Sequence, residues 1–391
     1  MELSRRVQRI QPSATLTINA KAGEMKSRGL DVLSLAAGEP DFLPPDHVTD
    51  RARQAVEEGL TRYTPVPGTP ELRRAAAEYF AHFYGIEADP ETILICNGGK
   101  QGLFNLFQAL LDPGDEVLIP APYWVSYPEM VRISDGEPVV LPTDPEKDFL
   151  LEPEQLKSAI TPRTKVLILN TPSNPTGCHY SQEQLDRLIE LALEHDVFVI
   201  SDEIYDQLVF PPAEPASAAC WFSSSPWRVA VVNGLSKSFA LTGWRIGYVL
   251  AHKEIIQAMS KIQGQSTSNV CSIAQEAAVA ALKGSFHFLQ EQRRILASRR
   301  DLALERISSW AGAVCPQPDG AFYLFPRLDA YFKGSVTDST SLCTYLLEEA
   351  GVALVPGAAF GDDRCVRLSY ALHEDDLEKA LTRMGEALAK L

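Results

Sequence analysis

Arg228-Val229-Ala230-Val231-Val232-Asn233 runs into Gly234-Leu235-Ser236-Lys237-Ser238-Phe239-Ala240-Leu241-Thr242-Gly243-Trp244-Arg245-Ile246-Gly247, and a second apolar run, Tyr248-Val249-Leu250-Ala251, follows. Two apolar runs joined by a glycine-bounded polar stretch read as strand, loop, strand. A lysine among small polar residues at a strand end can face a pocket in which its charge is poorly solvated. Desolvation lowers the pKa of an amine, and the neutral amine is the form that attacks a carbonyl. Eight residues on, Arg245 offers a fixed fork of donors suited to a phosphate. Together they describe a site for a phosphorylated aldehyde. The competing description is a surface Lys and Arg flanking a glycine turn.

The flanking chain favours the first description. Glu91–Cys96 reads as a strand running into Asn97-Gly98-Gly99-Lys100 and then a helix with Leu103, Phe104, Phe107, Leu110 and Leu111 on one face. Two glycines there let backbone N–H groups approach an anion at the helix N-terminus, although a plain strand-to-helix turn has the same look. Glu116–Ile119 is the next strand, followed by Pro120-Ala121-Pro122-Tyr123-Trp124. Lys165–Asn170 leads into the turn-rich Thr171-Pro172-Ser173-Asn174-Pro175-Thr176-Gly177, and a helix opens with a capping box from Ser181 to Gln184. Val197–Ile200 ends at Ser201-Asp202-Glu203-Ile204-Tyr205, where Asp202 is either a solvated strand end or a partner for a protonated ring nitrogen.

This alternation predicts an α/β fold: a large doubly wound α/β/α domain with a mainly parallel sheet over residues 46–280, its ligand groups on loops at strand ends. Residues 281–391 have a different texture. A charged helix from Glu291 to about Trp310 precedes a strand at Ala321–Phe325, a helix near 340–350, strands at Val352–Val355 and Val366–Ser369, and a helix from about Glu374. They predict a smaller α+β domain, joined by the N-terminal arm, residues 1–45, with a strand at Val32–Leu35. Within the strand at 366–369, Arg367 is a guanidinium in apolar surroundings and calls for a carboxylate, the simplest being an internal ion pair.

Composition narrows the class. The chain has 391 residues, 45% of them hydrophobic and 22% charged, which suits a globular protein with one large and one smaller unit. A net charge of −15 argues against nucleic-acid or anionic-membrane partners. The seven cysteines form no C-x-x-C pair, so neither a metal site nor a disulfide framework is expected, and reduced thiols in a cytoplasmic protein are the simplest reading. No apolar run approaches the roughly 20 residues that span a bilayer, and the N-terminus has no secretory h-region. Neither G-x-S-x-G nor G-x-G-x-x-G occurs, which removes the commonest hydrolase and dehydrogenase signatures.

Position by position, the 234–247 stretch resembles the lysine-attachment signature of class I aminotransferases, the fold-type-I enzymes dependent on pyridoxal 5′-phosphate. The resemblance runs from Pro12-Ser13-Ala14-Thr15 to the last helix. It is strongest to the prokaryote-type aspartate aminotransferases, subgroup Ib, through Gly38-Glu39-Pro40-Asp41, Gly98-Gly99-Lys100-Gln101, Tyr123-Trp124-Val125-Ser126-Tyr127-Pro128-Glu129 and Thr242–Tyr248. It implies that Lys237 carries the cofactor and moves the substrate α-proton in a ping-pong cycle. Asp202 would keep the pyridine ring cationic, Tyr205 and Asn174 would bond its 3′ oxygen, and Trp124 would stack on it. Gly98, Gly99, Lys100, Ser236 and Arg245 would surround the phosphate, joined by Tyr63 from the other subunit of a homodimer. Gly38, Trp124, Asn174 and Arg367 would hold the substrate, with Arg367 on its α-carboxylate; Lys100, Ser13 and Thr15 would hold a second carboxylate. Some relatives place a serine where this chain has Gly234, which leaves Ser236 as the replacement. Aspartate and 2-oxoglutarate are the expected amino-acid and keto-acid substrates. Prephenate is the alternative, since Lys100 and Thr15 permit it, and a cofactor-binding regulator without turnover is the rival of another class.

Overall fold

The computed structural model describes residues 3–12 and 14–391. The strands are β1 (Leu33–Ser34), β2 (Ile93–Cys96), β3 (Glu116–Ala121), β4 (Glu137–Pro142), β5 (Thr164–Asn170), β6 (Phe198–Asp202), β7 (Val229–Gly234) and β8 (Gly247–Leu250), followed by β9 (Tyr323–Leu324), β10 (Val352–Ala353), β11 (Val355–Pro356) and β12 (Val366–Ser369). The seven strands β2 to β8 form one sheet in the order β2-β8-β7-β6-β5-β3-β4. All its pairings are parallel except the two made by β8.

Near-continuous apolar runs are what a sheet covered on both faces demands. Successive residues enter opposite cores. Leu167, Leu169, Val199, Val229 and Val231 belong to one cluster, and Val166, Ile168, Phe198, Ile200, Ala230 and Val232 to the other. The covering helices are bounded by side-chain caps. Ser181 and Gln184 exchange the expected bonds, Gln184 N–H to Ser181 Oγ at 3.3 Å and Ser181 N–H to Gln184 Oε1 at 2.9 Å. The helix Pro70–Tyr84 starts at Thr69, with proline in its first turn, and stops at Gly85 in the left-handed region.

The N-terminal segment joins the C-terminal part of the chain: β1 pairs with β10, while β11, β12 and β9 form a three-stranded antiparallel sheet. A separate apolar cluster lies there, between the helices His287–Ser308, Ser339–Ala350 and Glu374–Leu388. Several expected strands come out shorter: Val32–Leu35 reduces to β1 and Glu91–Cys96 to β2, and two others change more. The run at 352–355 divides at Leu354, because its first half pairs with β1 and its second with β12. The run at 321–325 reduces to β9, since Ala321 has φ +56° and cannot continue a ladder. The helix Ser272–Lys283 packs on Asp46–Glu57 and Pro70–Tyr84, so the expected boundary at 280 falls inside a helix. Among the described residues no helix is long and apolar enough to cross a membrane.

Candidate active site

Strand direction gathers the site on one edge of the sheet. Asn170 pairs with Asp202 and Asp202 with Val232, so the carboxyl ends of β5, β6 and β7 lie nearly level. β8 runs the opposite way. Its first residue, Gly247, pairs with Gly234 at the end of β7 and with Cys96 at the end of β2, which brings Arg245 to the edge that carries Lys237 and Gly98. This closure requires glycine. A Cβ on Gly234 would lie 2.9 Å from the Gly247 Cα, and one on Gly247 would lie 2.4 Å from the Gly99 N. A side chain at position 234 therefore has no room here, and the buried Ser236 is one of the hydroxyl residues on the cavity wall.

The cavity on this edge has a volume of about 320 Å³, the size of a small-molecule site. Thr15, Gly38, Gly99, Lys100, Trp124, Asn174, Asp202, Tyr205, Ser236, Lys237, Arg245 and Arg367 all line it. Gly98 sits behind, as the N-cap of the helix Gly99–Leu110. Tyr63 is elsewhere, with 91% of its surface exposed, and Ser13 lies outside the described residues.

Lys237 Nζ donates to the Gly38 carbonyl at 2.6 Å and stands about 6 Å from the Tyr205 and Phe322 ring centres. Burial lowers its pKa to about 8; Glu39 and Asp202 act against that, while Arg367 and Arg245 add to it. A substantial neutral fraction near neutrality is what a proton-moving amine requires. Asp202 is buried, its Oδ2 accepting from the Tyr127 hydroxyl at 2.7 Å and its Oδ1 from the Ile204 N–H at 3.3 Å. Burial raises its pKa to about 6 despite those bonds and the nearby Lys237.

Of the two sequence readings of Arg367, the internal ion pair is not the one the fold makes. It is 2% exposed, yet its partners are neutral: Nη1 donates to Asn174 Oδ1 at 3.0 Å and Nη2 to the Ala36 carbonyl at 2.7 Å. Among the described residues its Nε has no partner, and the Tyr323 and Phe360 rings flank the guanidinium at 4.7 and 5.1 Å. Arg245 likewise donates only to carbonyls, those of Thr242 at 2.7 Å and Asn97 at 3.2 Å. Gly98 has φ +83°, and a Cβ there would meet Arg245 Nη2 at 2.4 Å, so glycine keeps open the corner between the guanidinium and the helix N-terminus. Among the described residues none of Asp202, Arg245 and Arg367 has an ion-pair partner, although all three line one cavity. Two cations and a carboxylate in this state fit a phosphorylated, nitrogen-containing ring with a carboxylate ligand beside it.

Neighbours that sequence reasoning missed hold these groups. Tyr127 is the donor to Asp202 and packs edge-on to Trp124; its one signal was its place three residues after Trp124, which ordinarily means core. Asn170 Nδ2 donates to the Asp202 carbonyl at 2.8 Å while its Oδ1 accepts from Asn174 N–H at 2.8 Å, tying the Asn174 loop to the end of β6. The Tyr205 hydroxyl bonds that of Tyr323 at 2.9 Å, and Lys100 Nζ lies 4.8 Å from the Trp124 ring centre. Partial burial, followed by the charge of Arg245, lowers the Lys100 pKa.

Comparison with known proteins agrees with this chemistry. Residues 30–384 match the family model for aminotransferase class I and II. A probable aspartate/prephenate aminotransferase of Thermus aquaticus is 46% identical over 99% of each chain. An aspartate aminotransferase of Bacillus subtilis is 44% identical over the full length of both. The structure of the aspartate aminotransferase from Thermus thermophilus with maleate superposes with a TM-score of 0.94 at 46% identity, covering 99% of this chain and all of that one.

Proposed function

The chain belongs to the class I and II aminotransferases and is a pyridoxal-phosphate-dependent transaminase, and we propose that it moves the amino group between L-aspartate and 2-oxoglutarate, giving oxaloacetate and L-glutamate. The observation that carries this reading is Arg367, a buried guanidinium without a carboxylate of its own, in the same cavity as Lys237. A two-pronged pair with a substrate α-carboxylate would complete it. Lys100, Thr15 and Ser13 would take the distal carboxylate of a dicarboxylic substrate.

When bound, pyridoxal phosphate supplies an aldehyde for the amino group and a ring that accepts electrons released at the substrate α-carbon. The remaining work falls to the chain. Arg245, Ser236, Lys100 and the Gly99 N–H would hold the phosphate, with Tyr63 supplied by the second subunit of a homodimer; the expected Gly98 N–H is instead taken by the Cys96 carbonyl at 2.7 Å, which leaves Gly98 to shape the corner beside Arg245. Trp124 would cover the ring, and Asn174 and Tyr205 would bond its oxygen. Asp202, ionised, would hold a proton on the ring nitrogen. Lys237, in its neutral form, carries the proton from the α-carbon. Gly38, with Trp124 and Asn174, orients the substrate over that amine. We assign this machinery to a large domain expected over 46–280, extended to the end of the helix Ser272–Lys283, and a small one built from 1–45 and the chain beyond that helix, and place the enzyme in the cytoplasm because its seven cysteines stand scattered.

A second reading, transamination of prephenate, is favoured by Lys100 and Thr15 on the cavity wall and by the Thermus aquaticus relative. Half-reaction spectroscopy separates the two. Holoenzyme is mixed with aspartate, glutamate, tyrosine or alanine, and its near-visible band is followed; oxaloacetate, 2-oxoglutarate or prephenate then reverses the change. A fast response to both dicarboxylic amino acids, with prephenate slow, supports the aspartate reading. Prephenate as fast as oxaloacetate moves the assignment to arogenate formation. No response to either dicarboxylic amino acid overturns the substrate proposal.

A further inference from the structure

The segment that leaves β1 passes directly over Lys237. Leu35 is tied on both sides, its N–H to the Ala353 carbonyl at 2.9 Å and its carbonyl to the Ser369 N–H at 2.7 Å. The Ala36 carbonyl accepts from Arg367, and the Gly38 carbonyl accepts from Lys237. Among the described residues, Glu39 and Pro40 then make no hydrogen bond. The next anchor is Asp41. Arg299, on the helix His287–Ser308, grips both of its carboxylate oxygens, Nη1 to Oδ1 at 2.7 Å and Nη2 to Oδ2 at 2.9 Å, and lies over the Phe42 ring at 5.6 Å. The Arg299 side chain is 8% exposed and that of Asp41 31%, so the pair is shielded from solvent on the arginine side.

We propose that Arg299 and Asp41 are positioning residues for transamination: their two-pronged pair holds the Ala36–Glu39 segment in place, with its Ala36 carbonyl on Arg367 and its Gly38 carbonyl on Lys237. Neither residue is on the cavity wall, and the effect is transmitted through two intervening residues, Glu39 and Pro40, between the Gly38 carbonyl and Asp41. A fork-on-carboxylate pair fixes orientation as well as distance, which a single bond to lysine cannot reproduce. Releasing Asp41 would let the Gly38 carbonyl and Glu39 move away from Lys237, and both favour the charged amine. Transaminase activity enters only as the kinetic consequence; the structural core of the proposal is tested without cofactor.

Asp41→Asn and Arg299→Lys are the variants, studied first as apoprotein. Hydrogen exchange by mass spectrometry should show amides of 37–42 exchanging at least about fivefold faster in both, with those of β5, β6 and β7 unchanged. The pH dependence of Lys237 acylation, read on its peptide, should shift to lower pH in the same variants. The groups facing that amine are Glu39, Asp202, Arg245 and Arg367, with the Tyr205 and Phe322 rings, and of these the segment moves only Glu39. In holoenzyme, KM for aspartate should rise several-fold more than kcat falls. The double variant should add little to either single change. Wild-type exchange at 37–42 and an unshifted acylation profile in Asp41→Asn, the nearly isosteric change, would overturn the proposal. Loss of all transamination in unmodified enzyme would instead count against the functional reading and leave the exchange result interpretable.

Discussion

Three carboxylates at the end of β6 and in the turn after it, Asp202, Glu203 and Asp206, are buried, and the fold treats them in two ways. Glu203 is saturated: Ser201 Oγ and the Ala218 N–H donate to Oε1 at 2.7 and 2.8 Å, and Ser217 Oγ to Oε2 at 2.6 Å. Asp206 is equally enclosed, by the hydroxyls of Tyr79 at 2.6 Å and Tyr84 at 2.8 Å and by the Gln207 N–H at 2.8 Å. Asp202 has two donors and opens on the cavity. Two buried arginines repeat the contrast. Arg299 has its carboxylate, whereas Arg367 has only neutral acceptors and an unpartnered Nε. Burial of charge is common to both sets, so burial does not mark function. What separates them is whether the protein completes the group's partners or leaves them for a ligand.

The largest effect should come from the incomplete set. Arg367→Lys keeps the charge but loses the fork, and kcat/KM for aspartate should fall by about 10²–10³, the scale of 2–5 kcal/mol expected for a broken buried charge pair. No internal carboxylate is abandoned by this change, so the melting temperature should stay close to that of the wild type. A steep loss of stability with nearly normal kcat/KM would break the contrast, by making Arg367 a structural residue.

The saturated set should answer in stability instead. Burial raises the Glu203 pKa from its ordinary carboxylate value to about 7, against the bonds from Ser217, Ser201 and Ala218. The native state then binds more protons than the unfolded chain between about pH 4.5 and 7. The contribution of this group is present in full below that window and is lost as pH rises through about 7. Asp202, raised to about 6, has the same sign over a lower window. Glu203→Gln should flatten the decline in stability between pH 5 and 8 by on the order of 2 kcal/mol, since each pKa unit corresponds to about 1.4 kcal/mol. Activity should stay within about twofold of wild type. Chemical denaturation at several pH values reads this directly, and an unchanged slope would show that Glu203 is ionised throughout.

How much of this could be read in the sequence follows the same division. The sheet is legible because alternate residues of each apolar run must enter opposite cores, and Lys237, Asp202 and Arg245 because charged residues at strand ends beside glycine or small polar residues have few structural duties there. The saturating partners are not legible. Arg299 lies 258 residues from Asp41, and no local pattern links them. Tyr127 in a helix reads as core because its hydroxyl partner is set by how the end of β3 faces the end of β6. Arg367 announces a carboxylate without saying whose, and only the neutral surroundings in the fold exclude an internal one. The shortened β9 reflects one dihedral, at Ala321, that no propensity encodes.

Tyr127 tests the boundary between the two sets, since it is a structural residue bonded to a functional one. Its hydroxyl lowers the Asp202 pKa against the effect of burial. In Tyr127→Phe that bond is gone while the ring can still pack against Trp124. The Asp202 pKa should therefore rise, and the carboxylate should remain protonated to higher pH. Since the ionised form is the one that holds a proton on the ring nitrogen, the acid limb of the kcat/KM profile should move upward. Well below pH 6 the loss should approach about fivefold, matching roughly 1 kcal/mol for one hydrogen bond, and it should shrink to less than about twofold at pH 7 and vanish toward pH 8.5. A loss of equal size at every pH would mean that the phenol places Asp202 without tuning it, and the line between saturated and open carboxylates would then be one of geometry alone.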